Sequence, residues 1–352
     1  MRAFYSDIFV LPLPDHHRFP MAKYRLLRER LVGEGILAAN DLQVPEAIGW
    51  DDLRLIHDAA YVDAVAAGTL SAEAQRRIGF PWSPMMVERS RRSVGATLAA
   101  ARDVITCKAS LPPSRNASAD RRSLGGGGSG SPGGGPERVA LHACANLAGG
   151  THHAFRDHGE GYCVFNDVAV AAAVLLRDGA IAHAVVVDCD VHQGNGTAAI
   201  FRDEPAVFTF SLHGANNFPF RKEVSDLDVT FADGAGDDEY LAAVREHLPR
   251  VLDARRADLV FYLAGADPYE GDRLGRLKLT IDGLRARDRL VFDACRDRDV
   301  PVVVCMSGGY APDVDAIVTI HANTVREAVA HSHARSPAPS HPALSRPAPS
   351  HL

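Results

Sequence analysis

The chain has 352 residues, 46% of them apolar, 23% charged and 7% aromatic, with a formal net charge of −6. That apolar share supports a packed core and excludes a wholly disordered chain. The acidic balance argues against a nucleic-acid or anionic-membrane partner, since both demand concentrated Lys and Arg, and no stretch approaches the ~18 uninterrupted apolar residues of a membrane span.

The opening segment, Met1 to Asp7, has neither a long apolar run nor a small-residue cleavage site, so a cytoplasmic location is expected. Residues 107–141 carry a Pro-Pro pair and then the glycine-dense run from Gly125 to Gly135. Such a segment cannot bury enough apolar area to offset its ordering entropy, and it is expected to be a flexible insertion. Deleting residues 108–140 is expected to leave activity intact, because the insertion precedes a strand and emerges at the sheet edge away from its carboxyl end.

Next comes a helical pattern from about Asn166, a natural N-cap, to Asp178 before Gly179. Short continuous apolar runs follow at Val185–Val187, Val207–Leu212, Leu259–Ala264 and Val300–Cys305. Continuous hydrophobicity marks strands buried on both faces, as in a parallel sheet. Helical patterns alternate with them over about 238–255, 281–296 and 315–330. From His331 onward a Pro/Ala/Ser-rich repeat indicates a disordered tail. Residues 1–330, less the insertion, therefore read as one α/β domain of roughly 300 residues in a three-layer α/β/α sandwich. The six cysteines include no Cys-x-x-Cys pair, and Cys189 and Cys305 lie inside apolar runs, so they read as reduced and structural.

In such sheets ligands bind at the carboxyl ends of the strands. The richest end is Asp188-Cys189-Asp190-Val191-His192-Gln193-Gly194-Asn195-Gly196, where Asp188, Asp190 and His192 are two apart and would project to one side of a strand. An Asp-x-His pair can offer oxygen and imidazole ligands to one metal, and Zn²⁺ suits that mixture. The alternative is that the aspartates bind backbone amides and His192 caps a turn. Asp267 ends another apolar run, a third run leads into Met306-Ser307-Gly308-Gly309-Tyr310, and His152-His153 follow Gly149-Gly150. Each of these is ambiguous alone.

Together and in that order, the adjacent histidines, the Asp-x-Asp-x-His strand end, the Gly-x-Asp strand end and the Gly-Gly-Tyr turn resemble the zinc-dependent histone deacetylase superfamily. The strings Glu160-Gly161-Tyr162-Cys163-Val164-Phe165-Asn166-Asp167 and Glu270-Gly271-Asp272-Arg273-Leu274-Gly275 look most like its class IV branch and bacterial relatives. The resemblance implies the arginase/deacetylase fold, with a mostly parallel eight-stranded sheet. It implies Asp190, His192 and Asp267 as zinc ligands, and His153 as general base. His152 would be its electrostatic partner, paired with Asp188, and Tyr310 the donor to the developing oxyanion.

Asn195 falls where many relatives carry an aspartate that orients the second histidine, so a weaker base is expected. Gly161, Tyr162, Phe218, Gly308 and Gly309 would line the substrate tunnel, although simple core packing is an equal reading for Phe218. A structural K⁺ using Asp188, Asp190, His192, Ser211 and Leu212 is also implied. The activity implied is hydrolysis of a non-peptide C–N bond, removing acetyl or longer acyl groups from lysine in a protein or peptide. An acetylpolyamine or other small-amide hydrolase is the alternative. A di-manganese ureohydrolase lacks its further bridging carboxylates here, and a dead acyl-binding protein is disfavoured because every chemical role has its residue type.

Overall fold

The computed structural model describes residues 1–14, 17–110 and 140–332. Most of the 107–141 insertion and of the tail lie outside the described residues. Where the flanks are described, they are ordered further than the composition suggests: a helix runs on to Ala109 and another reaches Ser332.

Eight strands, β1 (Ala3–Phe4), β2 (Leu42–Gln43), β3 (Ala143–Asn146), β4 (Ala184–Asp188), β5 (Val207–Gly214), β6 (Leu227–Phe231), β7 (Leu259–Leu263) and β8 (Val302–Cys305), form one sheet. Its order is β2-β1-β3-β8-β7-β4-β5-β6. Every neighbouring pair is parallel. The fold is thus the α/β arginase/deacetylase architecture, and the sheet is entirely parallel. The last strand starts at Val302 rather than Val300, because Pro301 has no N–H to donate to a ladder.

The helices are α1 (Lys23–Gly33), α2 (Trp50–Leu53), α3 (Ala59–Ala67), α4 (Ala72–Ile78), α5 (Pro84–Ala109), α6 (Asp167–Arg177), α7 (Asn195–Phe201), α8 (Asp237–Arg255), α9 (Ile281–Asp297) and α10 (Val314–Ser332). Side-chain caps set several starts. Asn166 Oδ1 accepts from Ala169 N at 3.0 Å, Thr280 Oγ1 from Gly283 N at 2.9 Å, and Ser83 Oγ from Met86 N at 3.1 Å with Pro84 in the first turn.

Alternate strand residues feed two cores, one on each face of the sheet. Val185 and Val187 of β4, with Val302 and Val304 of β8, pack with Leu27, Val244, Leu284 and Ile317 from α1, α8, α9 and α10. Val186 and Val303 face the opposite way, toward Val62, Leu98 and Val170 of α3, α5 and α6. Each such fully buried valine contributes roughly 1.5–3 kcal/mol.

The register fixes where chemistry can be placed. Asn146, Cys305, Leu263, Asp188 and Ser211 pair across successive strands in one row. The chain segments beyond that row therefore leave the sheet at one level and share a common space.

Candidate active site

The site is assembled from four of those strand exits. After β3 the chain turns through Gly149 and Gly150 into His152 and His153. Asp167, the first residue of α6, holds that turn by accepting from Gly150 N at 3.0 Å, Thr151 N at 2.8 Å and Thr151 Oγ1 at 2.7 Å. Gly149 is required there, since a Cβ would lie 2.5 Å from both Asn146 Nδ2 and Asp167 Oδ2.

After β4 the strand stops at Asp188, so Asp190 and His192 do not continue its alternation. Asp188 Oδ1 accepts from Asp190 N at 3.1 Å, and Asp190 Oδ1 accepts from His192 N at 3.0 Å. Each aspartate caps the backbone two residues on and rolls the chain into consecutive turns. These carboxylates thus bind backbone amides and also face one another's neighbours. After β7, Asp267 is anchored by Val191 N, which donates to its Oδ1 at 2.9 Å.

The rolled turns bring Asp190, His192 and Asp267 together, with one possible ligand atom from each lying within 4.8 Å of the others, all buried. His192 Nδ1 lies 2.9 Å from Asp190 Oδ1 and 3.1 Å from Asp267 Oδ2. Asp190 Oδ2 also accepts from Ser307 Oγ at 2.7 Å and Gly308 N at 2.8 Å. Among the described residues, no Lys or Arg is bonded to either carboxylate. Two buried carboxylates therefore rely on imidazoles for positive charge: His192 between them, and His152, whose Nε2 lies 3.9 Å from Asp190 Oδ1. Burial and Asp190 push Asp267 up to about 7, while burial of His192 is outweighed by the hydrogen bonds it donates to Asp190 and Asp267, which push it up to about 10. A divalent cation fits this donor set better than a shared proton does.

The two adjacent histidines are pushed in opposite directions. Burial opposes a charge on His152, but Asp188, 2.7 Å from its Nδ1, and Asp190 outweigh it and raise His152 to about 9. Burial and the charges of His152 and His192 hold His153 well below the usual histidine range. His153 Nδ1 donates to Asn195 Oδ1 at 2.6 Å, which leaves Nε2 as its acceptor. Burial, with Asp190 and Asp267, keeps the Tyr310 hydroxyl protonated far into alkaline pH.

His153, His192, Tyr162, Phe218, Gly161 and Tyr310 line a groove of about 500 Å³. Phe218 stands edge-on to His153, with ring centroids 5.0 Å apart at 82°, so it is a groove wall as well as a packing residue. Tyr162 faces Tyr310 at 5.8 Å. Gly308 lines a smaller adjoining cavity with His153, Tyr162, Asp190 and Tyr310, and Gly309 lies between it and Tyr310 in sequence. A Cβ on Gly308 would lie 1.9 Å from Asp267 Oδ2, and one on Gly309 would lie 2.9 Å from Ile317. Asp188 and Ser211 are paired across β4 and β5, and Leu212 follows in the core.

Sequence reasoning missed four supports. Lys23, at the start of α1, is buried and its Nζ donates to Gly309 O at 3.2 Å from within a cage of Phe19, Tyr24 and Tyr310, each ring centroid 5.3 Å away. Arg287 of α9 reaches under the strand exits and donates to Gly265 O at 2.7 Å. Asp272 accepts from Tyr310 N at 2.6 Å, and Glu160 accepts from Asn195 Nδ2 at 2.6 Å. Only Asp272 and Glu160 carried any signal, as members of the two strings noted above.

Comparison with known proteins agrees with this geometry. A family model described as the histone deacetylase domain matches residues 17–325. An uncharacterised protein of Picosynechococcus sp. is 40% identical over 318 residues, covering 90% of this chain and 94% of that protein. The histone deacetylase-like amidohydrolase of Pseudomonas aeruginosa is 28% identical over 314 residues, covering 84% and 73% of the two chains. Among solved structures, the HDA15 HD domain superposes with a TM-score of 0.73 at 20% identity, covering 94% of this chain and 90% of that one. An HDAC homolog complexed with SAHA superposes equally well, at 0.73 and 20% identity, covering 94% and 84%. On its sequence, its sheet topology and the residues gathered beyond the strand exits, this chain belongs to the histone deacetylase family.

Proposed function

We propose that this protein is a zinc-dependent deacylase that hydrolyses the amide between an acyl group and a lysine side chain. The observation that carries the reading is the buried Asp190–His192–Asp267 triad at the floor of an aromatic-walled groove, with the buried His153 ring 5.9 Å from that of His192. Held by those three residues, Zn²⁺ would supply Lewis acidity to polarise the amide carbonyl and acidify water.

The chain's own residues supply the rest. His153 takes the proton of the attacking water at Nε2 and returns it to the departing amine, while charged His152 steadies the negative charge gathering beside it. Tyr310 donates a hydrogen bond to the oxygen as the carbonyl becomes tetrahedral. Tyr162 and Phe218 hold the linear stem of the substrate and exclude water. A structural K⁺ among Asp188, Asp190, His192, Ser211 and Leu212 belongs to the same proposal, supported by the adjacency of Asp188 and Ser211 across two strands. We treat residues 1–330 as one catalytic domain, because the sheet draws its strands from Ala3 through Cys305. Six unpaired cysteines support a reducing compartment such as the cytoplasm.

The second reading, a hydrolase for acetylated polyamines, meets a specific obstacle. Arg76, Arg77 and Arg276 line the mouth, and Glu160 is the only carboxylate among the described lining residues. Arg77 and Arg276 have partners in Glu73 at 3.6 Å and Asp233 at 3.1 Å; Arg76 has none among the described residues. A polycationic substrate is repelled there, whereas a lysine within a neutral or acidic peptide is not.

The test is hydrolysis of acetyl-lysine and long-chain acyl-lysine peptides, beside N-acetylated diamines, by zinc-loaded protein with and without a chelator. Chelator-sensitive release of acid from a peptide is the expected result. Turnover confined to diamines, or none from folded zinc-containing protein, overturns the acyl-lysine reading.

A further inference from the structure

Asn195 stands where the resemblance implies an aspartate orienting the second histidine, and a carboxylate, Glu160, lies against it. Buried at the start of α7, its Oδ1 accepts from His153 Nδ1 at 2.6 Å and its Nδ2 donates to Glu160 Oε1 at 2.6 Å. An asparagine amide is two-ended. With Nδ2 turned toward His153, the ring would have to accept at Nδ1, carry its proton at Nε2, and present a donor to the groove instead of a base. A carboxylate can only accept, so Glu160 holds Nδ2 on its own side and thereby selects the useful orientation.

Glu160 is built to stay there. Its carbonyl accepts from Cys163 N at 2.9 Å, and the next two residues are tied to α4 through Gly161 N to Arg77 O at 3.1 Å and Tyr162 N to Ile78 O at 2.7 Å. Gly161 at φ 57° and Tyr162 at φ 67° form a turn in which a Cβ on Gly161 would lie 2.6 Å from His153 Cδ2. Among the described residues, Asn195 is the only side chain to which Glu160 is hydrogen-bonded, and no guanidinium or ammonium is ion-paired with it.

We propose that Glu160 is a positioning residue. Acting through the Asn195 amide, it locks the Asn195 carbonyl onto His153 Nδ1 and restores to the His153 arm the negative charge that an asparagine lacks. The claim rests on His153 serving as the base of the proposed deacylase, and it divides between two residues the work done by one aspartate. The chain thus holds a His153–Asn195–Glu160 relay beside its His152–Asp188 pair.

The experiment compares the full-length zinc-loaded protein with Glu160→Ala, Asn195→Asp and the double variant Asn195→Asp/Glu160→Ala. An aspartate at 195 accepts with either oxygen and brings its own charge, so it makes Glu160 unnecessary. Glu160→Ala is expected to lower kcat roughly 10-fold, the low end of what outer hydrogen-bond partners contribute, with KM changed less than about twofold. The double variant is expected to recover to within about threefold of the parent, because a charged carboxylate orients histidine directly. A merely structural Glu160 would not be rescued in this way. Full kcat in Glu160→Ala, or a double variant no better than that single one, overturns the proposal.

Histidine ¹⁵N NMR gives a reading independent of turnover. A His153 proton fixed on Nδ1 is expected in the parent and the double variant, and a mixture of tautomers in Glu160→Ala; an unchanged tautomer in Glu160→Ala overturns the proposal. If the parent cleaves no acyl-lysine peptide while the tautomer still follows Glu160, the acyl-lysine reading has failed and the relay stands.

Discussion

Replacing Gly308 with alanine presses directly on the two carboxylates proposed to hold the metal. Its N–H already donates to Asp190 Oδ2 at 2.8 Å, so the backbone cannot withdraw without releasing that carboxylate. An added Cβ would lie 1.9 Å from Asp267 Oδ2 and 2.6 Å from Asp190 Oδ2, where ordinary contact begins near 3.4 Å. The carboxylate of Asp267 must therefore move by about 1.5 Å, whereas a metal site tolerates deviations of about 0.2 Å. Asp267 cannot yield alone, because its other oxygen holds Val191 N at 2.9 Å. The expected outcome is a loss of zinc affinity of at least about 100-fold, comparable to removing a supporting interaction outright. Zinc per chain by elemental analysis and a competitive chelator titration measure it. Gly33→Ala, with nothing within 4 Å of the new Cβ, is the control and should bind zinc as the parent does. Stoichiometric zinc held with parental affinity by Gly308→Ala would refute the assignment of Asp190 and Asp267 as ligands.

Tyr310→Phe is expected to keep its zinc and lose turnover by about 10²–10³, the usual cost of one oxyanion donor; steady-state rates beside metal content decide it, and a fully active variant removes Tyr310 from the reaction. Stability should also depend on pH through His57, which burial holds down to about 4 while its Nδ1 donates to Phe155 O at 2.8 Å and its Nε2 accepts from Asn166 N at 3.0 Å. The unfolded chain binds this proton below about pH 6.5 and the folded protein only near 4. His57 thus contributes about 3 kcal/mol above pH 6.5 that is lost as the pH falls toward 4. Urea unfolding at intervals across that window should show the slope, and His57→Gln should flatten it; an unchanged slope in the variant refutes the assignment.

What could be read from the sequence follows physical lines. The valine-rich runs that became β4, β5, β7 and β8 were legible because a strand buried on both faces has no polar positions to blur it. By contrast β1 and β2 are two residues long, and β6 is a half-exposed edge, so none carries a continuous run. The strand-exit rule located Asp190, His192 and Asp267, yet their convergence comes from turns capped by Asp188 and Asp190, which alternation along a strand does not describe. Lys23 was invisible because it works across 286 positions of sequence to reach Gly309 O. Glu160 escaped for a related reason: its role exists only once Asn195, 35 positions away, lies beside it.

The place of β8 in the sheet has a consequence for how the molecule comes into being. It is the last strand to be synthesised, yet it sits between β3 and β7. Until Val302–Cys305 emerges, the chain can form only two separate half-sheets, β2-β1-β3 and β7-β4-β5-β6, each with one raw hydrophobic edge. Tyr310 and the Ser307–Gly308 pair that grips Asp190 lie beyond that strand. Between the making of β4 and that of β8, a nascent chain therefore carries two unprotected edges that invite pairing with other chains. The three proposed metal ligands lie on the β4 and β7 exits within one half, but the Ser307–Gly308 support of Asp190 arrives only with β8. A translation product that stops short of residue 302 is consequently an aggregation hazard, not a weakened enzyme.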